Sequence, residues 1–395
     1  MLLIKSLNSK FILLFLLSFF IINSNYCFAS ILNIETPAKQ VVIYDHEIDE
    51  VLFEKNSNSF MKPASMAKVM TAYIVFDRLT DGSVKLTDKF LVSEKAWKKG
   101  GSRTFLELNS LVLVEDLLRG LIVQSGNDAA IALAEGISGS EEDFAREMNQ
   151  YAHSLGMSST HFTNSTGWPH PDLQTTAIDL VKLTKKIILD FPEYYKLFLE
   201  NEYTYNNIKQ PNRNPFLVGR YRINGADGLK TGHTNESGYG LIGSVNRNGR
   251  RITLVVNGLS GQTQRAKESK RLIEIAYRET YLLKLFFKRN ILATGNVWLG
   301  KKDTIDLVAE KPLTTLISRP MLRKVKINMQ WNDPIKAPIK KKQVVGKIFV
   351  EIPNSEKIEI NLAASNSVEQ LGPFSKIKSA INYLLFGSNA LTNYE

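Results

Sequence analysis

Apolar residues change their spacing several times along the chain, and each change marks a different kind of element. QVVIYDHEIDEVLFEK, from Gln40, sets two short apolar runs on either side of a polar stretch from Asp45 to Asp49. That pattern predicts two strands joined by a turn. SMAKVMTAYIVFDRL, from Ser65, is apolar on almost every side, and a helix of that kind belongs inside a domain rather than on its surface. VEDLLRGLIVQSGNDAAIALAEGI predicts a helix, a break at Ser125-Gly126-Asn127 and a second helix. Helical spacing returns from Asp179 to Lys186 and from Glu193 to Leu199, the latter opened by Pro192. In GYGLIGSVNRNGRRITLVVNGL two β-rich runs flank Asn248-Gly249, a strong hairpin signal. TQRAKESKRLIEIAYRETYLLKLFFKR then reads as helical through Leu272, Ile275, Ala276, Tyr277 and the positions beyond.

From about residue 290 the texture changes. NVWLGKKDTIDLVAEKPLTTLISR, KVKINMQW and VVGKIFVEIPNSEKIEINLAAS are short strands with turn residues between them, the pattern of a small all-β domain. FSKIKSAINYLLF follows. It sets Phe374, Ile377, Ile381, Leu384 and Leu385 on one helical face and Lys376, Lys378, Ser379 and Asn382 on others. Such a segment is too short to cross a bilayer. It fits an amphipathic helix lying in the interface, its lysines toward anionic headgroups, or one docked on its own domain. At the other end, Lys5 and Lys10 precede the apolar block FILLFLLSFFII and a small residue, Ala29. This is the pattern of a cleaved export signal, the alternative being an uncleaved anchor. The residue before Cys27 is Tyr26, not the small residue of a lipoprotein cut. The expected organisation is thus a signal over 1–29, an α+β domain over 30–288, a small β-sandwich over 289–372 and an amphipathic membrane-anchoring tail over 373–395.

Composition narrows the partners. Fifty Lys and Arg stand against 39 Asp and Glu, a net charge of +11. An exported basic protein meets anionic lipid or acidic polymer rather than nucleic acid. Between Arg319 and Lys347 the only acid is Asp333, a cluster that reads as a solvated face. The single cysteine leaves with the signal, which excludes a disulfide, a thiol nucleophile and a thiolate metal site. HEIDE at 46–50 ends in Glu50 and is not a two-histidine zinc motif, and LKTGHT places its lysine before the glycine, unlike a phosphate-binding loop. No G-x-S-x-G elbow is present. No metal or cofactor is expected.

What survives is Ser65 with Lys68. Residues i and i+3 share a helix face, so the amine reaches the hydroxyl. A serine hydroxyl attacks only when a base takes its proton, and lysine is a base only when neutral. An apolar surround and the positive end of a helix dipole both push its pKa down. Alone, S-x-x-K is a weak signal. Here QSGND adds Ser125-Gly126-Asn127, and DGLKTGHT adds Lys230-Thr231-Gly232 on a strand leading into a hairpin. With ASMAKVMTAY, SGNDAAIALAE, LQTTAIDLVKL and GADGLKTGHT, these motifs resemble the penicillin-recognising serine enzymes, and more narrowly the low-molecular-mass D-alanyl-D-alanine carboxypeptidases of peptidase family S11. A small β domain followed by an amphipathic tail is also that family's layout.

The resemblance implies a β-lactamase/transpeptidase-like catalytic domain, with an antiparallel sheet, helices and an all-helical part. It implies that Ser65 attacks the carbonyl between two D-alanines of a peptidoglycan stem pentapeptide and is also acylated by β-lactams, with Lys68 as general base. Ser125 would relay the proton to the departing D-alanine, and Asn127 would hold the substrate amide and Lys68. Lys230 would draw the terminal carboxylate and help keep Lys68 neutral. Thr231 would offer that carboxylate a hydroxyl, Gly232 would admit the substrate backbone, and Arg265 would add a second cation. The backbone N–H groups of Ser65 and His233 would form the oxyanion hole. The implied location is the periplasmic face of a bacterial inner membrane, with peripheral attachment. The alternatives are a DD-endopeptidase with the same machinery, a β-lactamase and a catalytically inactive envelope-binding protein. No E-x-x-L-N stretch lies between Ser125 and Lys230, as a class A β-lactamase would require.

Overall fold

The computed structural model describes residues 32–287, 290–353 and 355–386. The expected export signal lies outside them. In the first domain β1 (Gln40–Asp45) and β2 (Glu50–Lys55) are followed by α1 (Lys68–Thr80), α2 (Val114–Ile122), α3 (Asn127–Ser138), α4 (Glu141–Ser154) and α5 (Ala177–Asp190). The chain then forms β3 (Ala226–Thr234), β4 (Gly238–Arg247), β5 (Arg250–Leu259) and α6 (Gln262–Glu279). The five strands make one antiparallel sheet in the order β2-β1-β5-β4-β3. The β4–β5 turn is the one expected. Asn248 and Gly249 have φ of 52° and 80°, the left-handed pair that a two-residue hairpin demands.

Alternation along the strands decides which face meets which helices. On β5, Ile252, Leu254 and Val256 join Leu272, Ile273 and Ala276 of α6 on one face of the sheet, while Val255 turns to the opposite face and the helical core. That second core surrounds α1, whose residues from Lys68 to Phe76 are all buried. Burying side chains such as Ile74 and Phe76 contributes about 1.5–3 kcal/mol each, so α1 is anchored along its whole length. The third strand, β3, is one of the two edges of the sheet.

One expectation fails at the end of α6. The helix stops at Glu279, and Thr280–Leu285 is a strand paired with Leu313–Ser318. The apolar run beyond Tyr277 is too short to distinguish the two states by periodicity, and pairing with a distant segment decides it. The β unit therefore takes up its first strand ahead of the expected 288/289 junction, and those two residues lie outside the described ones. Its larger sheet orders Lys326–Trp331, Val344–Glu351, Ile358–Ala364, Thr304–Ala309, Ile291–Trp298 and Ile335–Lys336, with only the last pair parallel. Val297, Leu307, Ile348 and Leu362 sit in its core. A final helix, α7 (Pro373–Phe386), follows. Its Phe374, Ile377, Ile381, Leu384 and Leu385 are exposed by 48% to 89%. Among the described residues no helix is long and apolar enough to cross a membrane.

Candidate active site

A cleft of about 750 Å³ opens along the edge of β3, lined among others by Ser65, Ser125, Arg213, Thr231, Tyr239 and Arg265. Ser65 stands in the 3-10 turn Ala64–Ala67, which runs directly into α1 at Lys68. Two glycines let neighbouring chain press against this turn. A Cβ on Gly232 would lie 2.7 Å from Pro63 O, and one on Gly167 would lie 1.9 Å from Ala64 O. Gly232 thus serves the packing of β3 on the serine turn, in addition to any approach of a substrate. Gly167, at φ 74°, also holds a conformation that disfavours a side chain.

Lys68 Nζ lies 3.1 Å from Ser65 Oγ, 2.7 Å from Asn127 Oδ1 and 2.6 Å from Thr166 O. The last two atoms only accept. The Asn127 amide has one possible sense, because its Nδ2 donates to Gly100 O at 2.8 Å. A neutral amine has two N–H bonds and one lone pair. Both N–H bonds are claimed, so the lone pair is left facing the Ser65 hydroxyl. The Lys68 pKa falls to about 7, first through burial and then through the Arg213 and Lys99 cations, while Asp128 and Glu141 oppose the fall. Lys230 is also buried and is held well below the usual lysine range, by burial and then by repulsion from Lys68, Arg213 and Arg265. Among the described residues it has no carboxylate partner. Burial leads the fall at Lys68, in keeping with the apolar surround read from the sequence, and the cations that add to it are Arg213 and Lys99.

Ser125 sits in the break between α2 and α3 with φ of 61°, an uncommon conformation for serine. The next turn is clamped from below. The buried Asp128 carboxylate accepts N–H bonds from Thr104, Phe105, Leu106 and Ala129 at 2.8–3.2 Å, and Asn127 N–H donates to Ser102 O at 2.7 Å. The loop holding Gly100 and Ser102 thereby sets the Asn127 amide, which sets Lys68. Across the cleft, His233 is exposed and stacks on Tyr239 with centroids 3.8 Å apart. The Arg265 guanidinium lies 5.7 Å from the Tyr239 ring centroid. Arg265 is buried, its pKa drawn down to about 10 chiefly by burial, and its Nε has no hydrogen-bond partner among the described residues. Arg213 is tied to the second motif by its Nε bond to Gln124 O, 2.8 Å.

The structure brings Ser65, Lys68, Ser125, Asn127, Lys230, Thr231, Gly232, His233 and Arg265 to this one region. Sequence reasoning missed the Thr166 carbonyl, Asp128, Lys99, Arg213 and Tyr239. The Gly167 that follows Thr166 was the one local hint, and a backbone carbonyl leaves no other trace in a sequence.

The chain matches the D-alanyl-D-alanine carboxypeptidase family, Peptidase S11, over residues 29–261. Residues 282–370 match the C-terminal domain of penicillin-binding protein 5. It is 35% identical over 345 residues to the D-alanyl-D-alanine carboxypeptidase DacA of Haemophilus influenzae, covering 86% of this chain and 87% of the relative. With DacC of Escherichia coli, also a D-alanyl-D-alanine carboxypeptidase, identity is 36% over 361 residues, 89% of this chain and 90% of the other. The crystal structure of penicillin binding protein 5 from Haemophilus influenzae superposes with a TM-score of 0.67 at 34% identity, over 86% of this chain and 99% of that one.

Proposed function

This chain belongs to the D-alanyl-D-alanine carboxypeptidase family, and on that premise we propose that Ser65 is its acylating nucleophile and Lys68 the base that activates it. The observation that carries the proposal is the Lys68 amine, with both N–H bonds committed to Asn127 Oδ1 and Thr166 O and its lone pair 3.1 Å from Ser65 Oγ. Lys68 Nζ takes the hydroxyl proton as Ser65 Oγ bonds to the carbonyl carbon between the two D-alanines of a stem peptide. Negative charge moves to the carbonyl oxygen, which receives the backbone N–H groups of Ser65 and His233. Loss of one such donor typically costs about 100- to 1,000-fold in rate.

Collapse of the tetrahedral species breaks the C–N bond. The proton returns through Lys68 and Ser125 to the leaving amine, and D-alanine departs. Water then enters by the reverse proton path and releases the shortened peptide. A terminal carboxylate brings the counter-charge that Lys230 lacks. Its arrival stabilises the protonated form of Lys230, while Arg265 and Thr231 hold the same group. Lys68, bound only to neutral oxygens, remains the base.

β-Lactams enter the same chemistry as acylating substrates, and release of the acyl group decides between inhibition and hydrolysis. We assign the protein to the periplasmic face of the inner membrane, exported by its N-terminal signal and held peripherally by α7, whose apolar face is exposed.

Ser65→Ala should abolish both fluorescent penicillin labelling and release of D-alanine from a D-Ala-D-Ala pentapeptide, with the circular dichroism spectrum unchanged. Retained D-alanine release would overturn the assignment of Ser65. Offering a cross-linked peptide dimer in the same assay separates endopeptidase from carboxypeptidase action.

A further inference from the structure

The end of the β domain from which α7 departs is built from three segments of backbone. On one side Leu371 N–H donates to Leu299 O, and Lys301 N–H to Glu369 O. On the other, Ile339 and Val368 exchange both backbone hydrogen bonds, Lys342 N–H donates to Ala364 O and Lys341 N–H to Ser367 Oγ. The loops 299–303 and 339–343 therefore flank the segment 364–371 that leads into α7. Together they carry Lys301, Lys302, Lys340, Lys341 and Lys342, all exposed.

The acids in these three segments are Asp303 and Glu369. Glu369 is taken by Lys301 at 2.5 Å. No carboxylate among the described residues pairs with Lys302, Lys340, Lys341 or Lys342. Lys342 moreover has φ of 67°, a left-handed conformation that a residue with a side chain rarely adopts. Glycine or asparagine would sit there more easily. The backbone thus crowds like charges around the root of a helix that holds its apolar side chains in the open and contributes Lys376, Lys378 and no acid.

We infer that this lysine-bearing end of the β domain is a docking surface for anionic lipid headgroups, acting together with α7. The inference rests on the reading of α7 as a helix lying in the membrane. A short apolar face alone holds a protein to a bilayer weakly and reversibly, and stable attachment takes a second, electrostatic signal. Each surface lysine near an anionic leaflet contributes a factor of about five in partitioning. The loops are fixed to the root of α7 by backbone hydrogen bonds, so the lipid plane that takes the helix also meets the lysines. A soluble acidic polymer would explain the charge but not its placement around an exposed apolar helix.

The test is vesicle sedimentation with the full chain, the K340Q/K341Q/K342Q variant and a chain ending at Gly372. Two vesicles are used, one of phosphatidylcholine alone and one containing phosphatidylglycerol, and binding to soluble polyphosphate is measured in parallel. The triple variant is expected to bind the anionic vesicles about 100-fold more weakly than the unmodified chain at low salt. The gap should close as salt rises, and the two proteins should bind neutral vesicles alike. Unchanged D-alanine release in solution confirms that the variant is folded. Equal binding of the two proteins to anionic vesicles overturns the inference. If the chain ending at Gly372 nevertheless loses binding, the reading of α7 survives that failure. If removing α7 changes nothing on either vesicle, the reading of α7 fails as well. A loss confined to soluble polyphosphate would assign the lysines to acidic polymer and also overturn the lipid inference.

Discussion

At the scale of single residues, the proposed mechanism turns on the charge of one amine. Lys68 is wholly buried in a pocket whose nearest polar atoms are neutral oxygens, and this lowers its pKa to about 7. Only the neutral form can accept the Ser65 proton. Acylation by a β-lactam should therefore rise as pH passes through about 7 and level off above it, as stopped-flow measurement of penicillin labelling can show. Asp128 pulls the other way, because its carboxylate favours the protonated amine. Asp128→Asn removes that charge, so the acid limb should move to lower pH even if the plateau rate drops. An acid limb that stays in place would mean that Asp128 acts only as a clamp. Lys68→Ala should lower the acylation rate by about 10²–10⁴-fold, the usual worth of a general base. Ser65, Lys68 and Lys230 were legible because short spacings encode them. Arg213 and Lys99 were not, because they reach the site from loops far apart in sequence.

At the scale of elements, Arg250 is one of the ties between the catalytic layer and the β unit, beside the Lys284–Glu47 ion pair. Arg250, at the start of β5, donates to the fully buried Asp45 carboxylate at 2.7 Å and to Thr280 Oγ1 at 2.7 Å. It thus joins β1 to the strand that opens the β unit. Arg250→Met would leave Asp45 buried without its partner. The expected cost is about 3–5 kcal/mol, the range for breaking a buried pair from one side, measured by urea unfolding. A loss within 1 kcal/mol, by the same comparison, would show that water reaches Asp45. The hairpin at Asn248-Gly249 was readable because few residues tolerate two successive left-handed positions. The strand Thr280–Leu285 was not, because its partner Leu313–Ser318 lies about thirty residues further on, and no local pattern announces such pairing.

At the scale of the whole molecule, the proposed sites of catalysis and of attachment lie apart. The cleft lies along β3 in the first domain, whereas the exposed apolar side chains lie on α7 beyond the β unit. A chain ending at Gly372 should therefore release D-alanine from a soluble pentapeptide at a rate within about twofold of the full chain and stay in the supernatant with vesicles. Loss of activity would show that α7 supports the catalytic domain.

The amino-acid sequence by itself determined the three motifs from which the proposed catalytic residues come, the helix and hairpin that carry them, and the change to an all-β texture. Each of these is written in spacings of a few residues and in side chains with restricted backbone preferences. Tertiary structure alone decided the lowered pKa of Lys68, since desolvation exists only once the loop bearing Thr166 and the start of α3 at Asn127 close on the head of α1. It also decided where α6 ends and which lysines gather at the root of α7. Those outcomes depend on pairings between distant segments, whose energy appears only when the chain has folded.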